Sequence, residues 1–265
     1  MSQVNNEKAT NEMPKPDNQI GHVVAVMSGK GGVGKSSITG LLATSLAKEG
    51  YKVGVMDADI TGPSIPKLFG VKEKPEMSPA GPLPPKTVTG INVMSFNLLL
   101  PNEDDPVIWR GPLIGGAIKQ FWEDIYWGEL DYLVVDLPPG TGDAPLTVLQ
   151  SVPLDGIIIV TSPQDLANMV VRKAVKMANK MNINIIGLVE NMSYLECPDC
   201  GKKINVFGPD KAIEETEKMG YPVLAKLPLD QGFAEACDRG EIEKYKGDIV
   251  EKFAPVTKEV LATVK

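Results

Sequence analysis

A single stretch near the start of the chain narrows the possible folds more than any other feature. An apolar run, Val23 to Met27, leads into Gly29-Lys30-Gly31-Gly32-Val33-Gly34-Lys35-Ser36, and a helix-forming run, Lys35 to Lys48, follows at once. This is G-x-x-x-x-G-K-[ST] in its required setting of strand, loop and helix. The glycines let the backbone curl so that successive N–H groups face a phosphate. The helix N-terminus adds partial positive charge, and Lys35 neutralises phosphate oxygens. Ser36 is placed to offer its hydroxyl to Mg²⁺. The residues from Gly29 to Ser37 are therefore the expected nucleotide-phosphate site.

Beyond this loop, short β-rich runs alternate with longer helical patterns, which predicts βα units and a mostly parallel sheet. Strands are expected at Val23 to Met27, Lys52 to Met56, Ile91 to Ser95, Tyr132 to Val135, Gly156 to Val160, Ile183 to Val189 and Val223 to Leu227. Several are continuous apolar runs, as strands covered on both faces should be. Helices are expected at Lys35 to Lys48, Pro112 to Tyr126, Asp165 to Met181, Asp210 to Met219 and Gly247 to Val264, the last kinked or interrupted near Pro255. The Pro- and Gly-rich stretch from Val71 to Gly90 reads as an excursion outside the sheet. The fold class is α/β: a single P-loop NTPase domain, residues 20–265, with a mostly parallel central β-sheet flanked by helices on both faces. Residues 1–19 are polar and read as a flexible tail without cysteine or histidine.

The formal net charge of −7 gives no long-range attraction for nucleic acid or anionic lipid. Neither is expected as a partner. The sequence has no signal-like start and no apolar run approaching a membrane span, so a cytoplasmic location is expected. Three cysteines, two in a Cys-x-x-Cys pair, agree with a reducing compartment.

Acidic residues fall where a phosphate-loop enzyme needs them. Asp57 and Asp59 follow the second expected strand, and Asp136 closes the apolar run Tyr132 to Val135. Such carboxylates can hold Mg²⁺ directly or through water. The loop Leu137 to Asp143 is a candidate γ-phosphate sensor, with Gly140 presenting its N–H. Asn191 follows the strand Ile183 to Val189, and its amide can donate and accept at once. An ordinary turn asparagine is the alternative.

Cys197-Pro198-Asp199-Cys200 lies in a loop taken as residues 193–204. Two thiolates at this spacing supply half of a four-thiolate site. Cys237 is the one further cysteine, in a helical stretch where a buried structural role is expected. A symmetric dimer completes the count with two cysteines from each copy. Iron-sulfur cluster, structural zinc and dithiol redox chemistry all remain open on spacing alone.

The second lysine, Lys30, makes the loop resemble the deviant Walker A group of the nitrogenase iron protein, MinD and ParA. In closer detail the chain resembles the Mrp (ApbC-type) iron-sulfur carrier ATPases over nearly everything from His22 onward. The likeness rests on the deviant loop, Asp57-Ala58-Asp59-Ile60-Thr61-Gly62-Pro63-Ser64, Trp109-Arg110-Gly111-Pro112, the Asp136 to Asp143 loop, and Glu190-Asn191-Met192-Ser193 with the Cys-x-x-Cys after it. The resemblance implies a homodimer in which Lys30 reaches the partner's ATP and Asp59 orients the attacking water. It further implies that Asp57 and Asp136 support the Mg²⁺ shell and that Asn191 reads adenine. Cys197 and Cys200 would hold a bridging [4Fe-4S] cluster for transfer to apo-proteins, with slow ATP hydrolysis. Some such relatives carry extra cysteines in an N-terminal extension, and this chain has none there. The competing reading is a MinD- or ParA-like positioning ATPase with a structural zinc site, which predicts a strongly basic tail or face, whereas Gly247 to Lys265 has mixed charge. An electron-transfer reductase and a metabolic kinase fit less of the pattern.

Overall fold

The computed structural model describes residues 16–60, 62, 64–100, 111–163, 167–207 and 220–264. Ten strands run in chain order: β1 (Gln19–Ser28), β2 (Val53–Asp57), β3 (Glu76–Ser78), β4 (Gly81–Leu83), β5 (Asn92–Ser95), β6 (Glu129–Asp136), β7 (Gly156–Thr161), β8 (Ile185–Glu196), β9 (Lys203–Ile204) and β10 (Val223–Pro228). The helices among the described residues are α1 (Lys35–Lys48), α2 (Ile65–Phe69), α3 (Gly111–Asp124), α4 (Asp143–Ser151), α5 (Ala167–Lys180), α6 (Gln231–Asp238) and α7 (Asp248–Thr263).

The main sheet has the order β10-β8-β7-β1-β6-β2-β5, with every neighbouring pair parallel. Parallel strands need crossovers, and the helices supplying them cover both faces. Strand β1 shows the consequence residue by residue. Val24 and Val26 join one core with Ile38 and Leu42 of α1 and Phe253 and Val256 of α7. Val23, Ala25 and Met27 join the other, with Ile118 and Phe121 of α3 and Val171 and Val175 of α5. The period-two alternation of side chains in a strand makes the two sets distinct.

Most of the expected elements are present, with shifted ends. Strand β8 runs seven residues past Val189 and pairs antiparallel with β9, so residues 193–196 and 203–204 are strand and the connecting loop is only 197–202. Helix α7 continues unbroken through Pro255. The carbonyl that Pro255 cannot satisfy belongs to exposed Glu251, where water can serve it. The Val71 to Gly90 excursion contains the separate hairpin β3–β4. Asn18 and Gln19, expected outside the domain, are part of it. Gln19 pairs with Glu129, and Asn18 accepts from the Trp127 N–H at 2.8 Å and donates to the Ile125 carbonyl at 2.8 Å. The expected helix Asp210 to Met219 and the Trp109-Arg110 pair lie outside the described residues.

Candidate functional site

The C-terminal ends of β1, β2, β6 and β8 meet at one edge of the sheet, where doubly wound folds bind ligands. Strand β1 delivers the glycine loop, β2 delivers Asp57, β6 delivers Asp136, and β8 delivers Asn191. The loop geometry demands its glycines. Gly32 has φ 77° and Gly34 φ 80°, in the left-handed region that favours glycine. A Cβ on Gly29 would stand 2.0 Å from Val170 Cγ1, and one on Gly34 would stand 2.2 Å from Asn191 Nδ2. The loop is thus wedged between α5 and the middle of β8, with Gly31, Gly32, Ser36 and Ser37 lining a cleft of about 280 Å³. Wider hollows elsewhere, such as one of about 530 Å³ beside Trp127, hold none of these groups.

Beneath the loop is a buried charge cluster. Lys35 Nζ lies 2.7 Å from Asp136 Oδ2 and 4.0 Å from Asp59 Oδ2. Asp136 also accepts from Ser36 Oγ at 2.6 Å and from Thr39 Oγ1 at 2.7 Å. Asp57 sits beside Asp136 in the sheet register and accepts N–H groups from Asp59, Ser64 and Ile65 and the Ser95 hydroxyl. Burial, with the Asp136 charge added, pushes the Asp57 carboxyl up to about 8 despite Lys35 and these N–H donors. Two buried carboxylates and a serine hydroxyl beside a phosphate loop are an all-oxygen donor set, which fits Mg²⁺. A divalent cation would also relieve the charge excess that lifts Asp57.

Asp59 is buried and accepts the Gly62 N–H at 3.2 Å, facing the same cleft. Lys30 is half-buried, and its carbonyl accepts the Ser28 hydroxyl at 2.9 Å. Asn191 donates to the Val33 carbonyl at 3.0 Å, so it touches the glycine loop directly. Gly140 differs from expectation: its N–H donates to the Ser28 carbonyl at 2.9 Å and is already committed. Thr39 is a site residue that sequence reasoning missed. Its position one helical turn after Lys35 was the available clue.

Strand β8 continues from Asn191 to Glu196, and Cys197 opens the next turn. That turn is closed by the Cys197 N–H to the Lys202 carbonyl at 3.0 Å and the Gly201 N–H to the Cys197 carbonyl at 2.9 Å. Cys197 is half-buried and Cys200 exposed, both as free thiols. The N–H groups of Asp199 and then Cys200, with the Cys200 side chain, hold the Cys197 thiol below its ordinary value. Among the described residues no cluster of three or more metal-binding side chains forms, so the pair stays two ligands short. Cys237 is buried in the core, where desolvation pushes its thiol up to about 11 although its hydrogen bond with the Ser37 side chain pulls the other way.

Residues 19–261 match the ParA-group family model described as NUBPL iron-transfer P-loop NTPase. The chain belongs to that family. Curated relatives agree in kind. An iron-sulfur cluster carrier protein of Clostridium perfringens is 51% identical over 234 residues, covering 85% of this chain and 82% of that protein. One from Methanocaldococcus jannaschii is 50% identical over 224 residues, covering 84% and 77%. Among solved structures, a nucleotide-binding protein from Archaeoglobus fulgidus in complex with ADP superposes with TM-score 0.79 at 47% identity, covering 88% of this chain and 92% of that one. MinD of Pyrococcus horikoshii shares the fold at TM-score 0.64 and 21% identity, covering 91% and 97%. In this member of the family the strand that ends at the cysteine turn also carries Asn191, the residue that touches the glycine loop. No helix among the described residues is long and apolar enough to cross a membrane.

Proposed function

We propose that the protein is an ATP-binding iron-sulfur carrier whose cargo is a [4Fe-4S] cluster held between two copies by Cys197 and Cys200 of each, delivered to apo-proteins and accompanied by slow ATP hydrolysis. One observation carries the reading: the thiol pair, Cys197 half-buried and Cys200 exposed, has no third metal-binding side chain beside it among the described residues and follows the strand that abuts the nucleotide loop. Backbone N–H groups from Gly29 to Ser37 cradle the phosphates, and Lys35 neutralises them. Ser36 would hold Mg²⁺ directly, with Asp57 and Asp136 as its outer support. The cation supplies charge neutralisation at the β- and γ-phosphates. Asp59, hydrogen-bonded at the cleft wall, orients the attacking water, Lys30 reaches the nucleotide of the second copy, and Asn191 pairs with the adenine edge. Free thiols of this kind need a reducing compartment, which supports the cytoplasm as its place of action.

The test is anaerobic reconstitution with iron and sulfide of wild type and a Cys197→Ala/Cys200→Ala variant. About four irons and four sulfides per two chains, absent in the variant, is the expected result. Uptake of zinc that iron cannot replace would overturn the reading and leave a P-loop ATPase with a structural metal.

A further inference from the structure

Asp136 is fully buried and meets three side-chain donors from the start of α1, which divide between its two oxygens. Oδ2 takes the Lys35 ammonium at 2.7 Å and the Ser36 hydroxyl at 2.6 Å, and both of those residues line the nucleotide cleft. Oδ1 takes the hydroxyl of Thr39 at 2.7 Å, from a side chain that is itself fully buried. Thr39 Oγ1 also lies 3.1 Å from the Lys35 carbonyl. A hydroxyl has one proton, and the shorter contact to a charged acceptor claims it. One carboxylate oxygen is therefore anchored behind the site and the other is turned towards the cleft.

We propose that Thr39 is the positioning residue for Asp136, holding Oδ1 while nucleotide exchanges the groups on Oδ2, so that Oδ2 stays turned towards Mg²⁺; this rests on the reading of Ser36, Asp57 and Asp136 as the magnesium-supporting set. The need for such a residue comes from Lys35. In the empty cleft its ammonium is spent on Asp136, yet the phosphates require the same ammonium. When Lys35 turns to phosphate, Oδ2 loses its nearest cation. Ser36 has a second duty as well, because its oxygen is to face the metal.

The torsion that turns a carboxylate has a broad, nearly two-fold profile, so the group has little orientational preference of its own. With both contacts on Oδ2 changing at once, only a fixed partner on Oδ1 keeps the plane of the carboxylate where it was. Thr39 is suited to this. It is locked by close packing, it lies outside the cleft lining, and neither phosphate nor metal has any call on its hydroxyl. It never touches nucleotide, and its effect passes through Asp136.

Thr39→Val keeps the shape of the side chain and removes the donor. Thr39→Ala removes both and suits a helix better, which guards against a valine variant that fails to fold. Thr39→Ser keeps the donor without the methyl group. ADP affinity is measured by titration calorimetry in Mg²⁺ and in EDTA, and the readout is the ratio of the two. Melting temperature reports stability separately. Thr39→Val and Thr39→Ala should cut the advantage that Mg²⁺ confers at least tenfold, the loss of one hydrogen bond to a charged group, and Thr39→Ser should keep most of it. Valine and alanine variants that melt lower but retain the wild-type ratio would make Thr39 merely structural and overturn the proposal. So would a serine variant that loses the ratio as valine does, since the methyl group rather than the hydroxyl would then matter. A wild type that binds ADP no better in Mg²⁺ than in EDTA refutes the magnesium reading itself, before any variant is made, and the role of Thr39 falls with it.

Discussion

The ammonium of Lys35 lies 2.7 Å from Asp136 Oδ2, with the two side chains 6% and 0% exposed. The lysine that must neutralise phosphate is thus also what balances a buried carboxylate. Removing one member of such a pair leaves the other uncompensated. Lys35→Met should therefore destabilise the protein itself by about 3 kcal/mol in addition to abolishing nucleotide binding, the low end of the usual range because the cleft admits water. Lys35→Met/Asp136→Leu should recover most of that stability without recovering binding. Urea unfolding of the two variants checks both statements, and equal destabilisation in the double variant would refute the coupling.

Asp57 supplies a pH dependence. Its carboxyl moves from an ordinary 3.8 to about 8, so between those values the folded protein keeps a proton that the unfolded chain has released. Stability from this group is full below the lower value and declines as pH rises towards the upper one. The melting temperature without nucleotide should drop by on the order of 10 °C from pH 5 to pH 8, at about 1.4 kcal/mol per pH unit and about 2–4 °C per kcal/mol for a chain of this size. Asp57→Asn should flatten that slope. Binding of MgADP near pH 7 should release a proton, visible as a buffer-dependent heat in calorimetry.

The Asn191 amide donates to the Val33 carbonyl at 3.0 Å and blocks any side chain at Gly34. Asn191→Ala should weaken ATP about tenfold, the loss of one good hydrogen bond, and narrow the preference for ATP over GTP. Titration calorimetry with both nucleotides tells a base-reading role from a purely structural one, which would weaken both equally.

The three thiols should react in a fixed order. Cys197, whose thiol is lowered by neighbouring N–H groups, should be alkylated by iodoacetamide well before Cys237, which is buried and raised to about 11. Mass spectrometry of a timed reaction at pH 7.5 reads the order. Early labelling of Cys237 would mean that α6 opens readily.

Lys252 ties α7 to the hairpin through Glu196 and Tyr194. As a partly exposed contact it is worth less than about 1 kcal/mol globally. Lys252→Ala should nevertheless raise amide exchange across residues 194–204 with little change in melting temperature. Unchanged exchange there would show that strand pairing alone holds the hairpin.

The glycine loop was legible in the sequence because its chemistry is done by backbone, and only glycine permits the left-handed φ at Gly32 and Gly34. The apolar strands were legible for a similar reason: burial on both faces leaves little but Val, Ile, Leu and Met. The far half of β8 was not. Glu190-Asn191-Met192-Ser193 is polar and Met192 has φ 58°, so the pattern reads as a turn, yet pairing with β9 and with β10 carries the strand through it. Thr39 on Asp136 and Lys252 on Tyr194 are contacts between distant elements, and no local periodicity encodes them. Pro255 misled because proline's cost in a helix depends on whether the orphaned carbonyl is wet, which only burial reveals.

Asn191 and Cys197 are six positions apart, at most roughly 20 Å at about 3.3 Å per extended residue, and the left-handed Met192 between them shortens the span. Over that span β8 is hydrogen-bonded in turn to β10, with Tyr194 receiving the Leu229 N–H at 2.7 Å, and then to β9. A strand laced to neighbours in this way has little slack to pay out beyond the kink at Met192. Asn191 against the glycine loop and Cys197 at the turn sit like the two jaws of a caliper on one beam, so a tilt of that beam would move both.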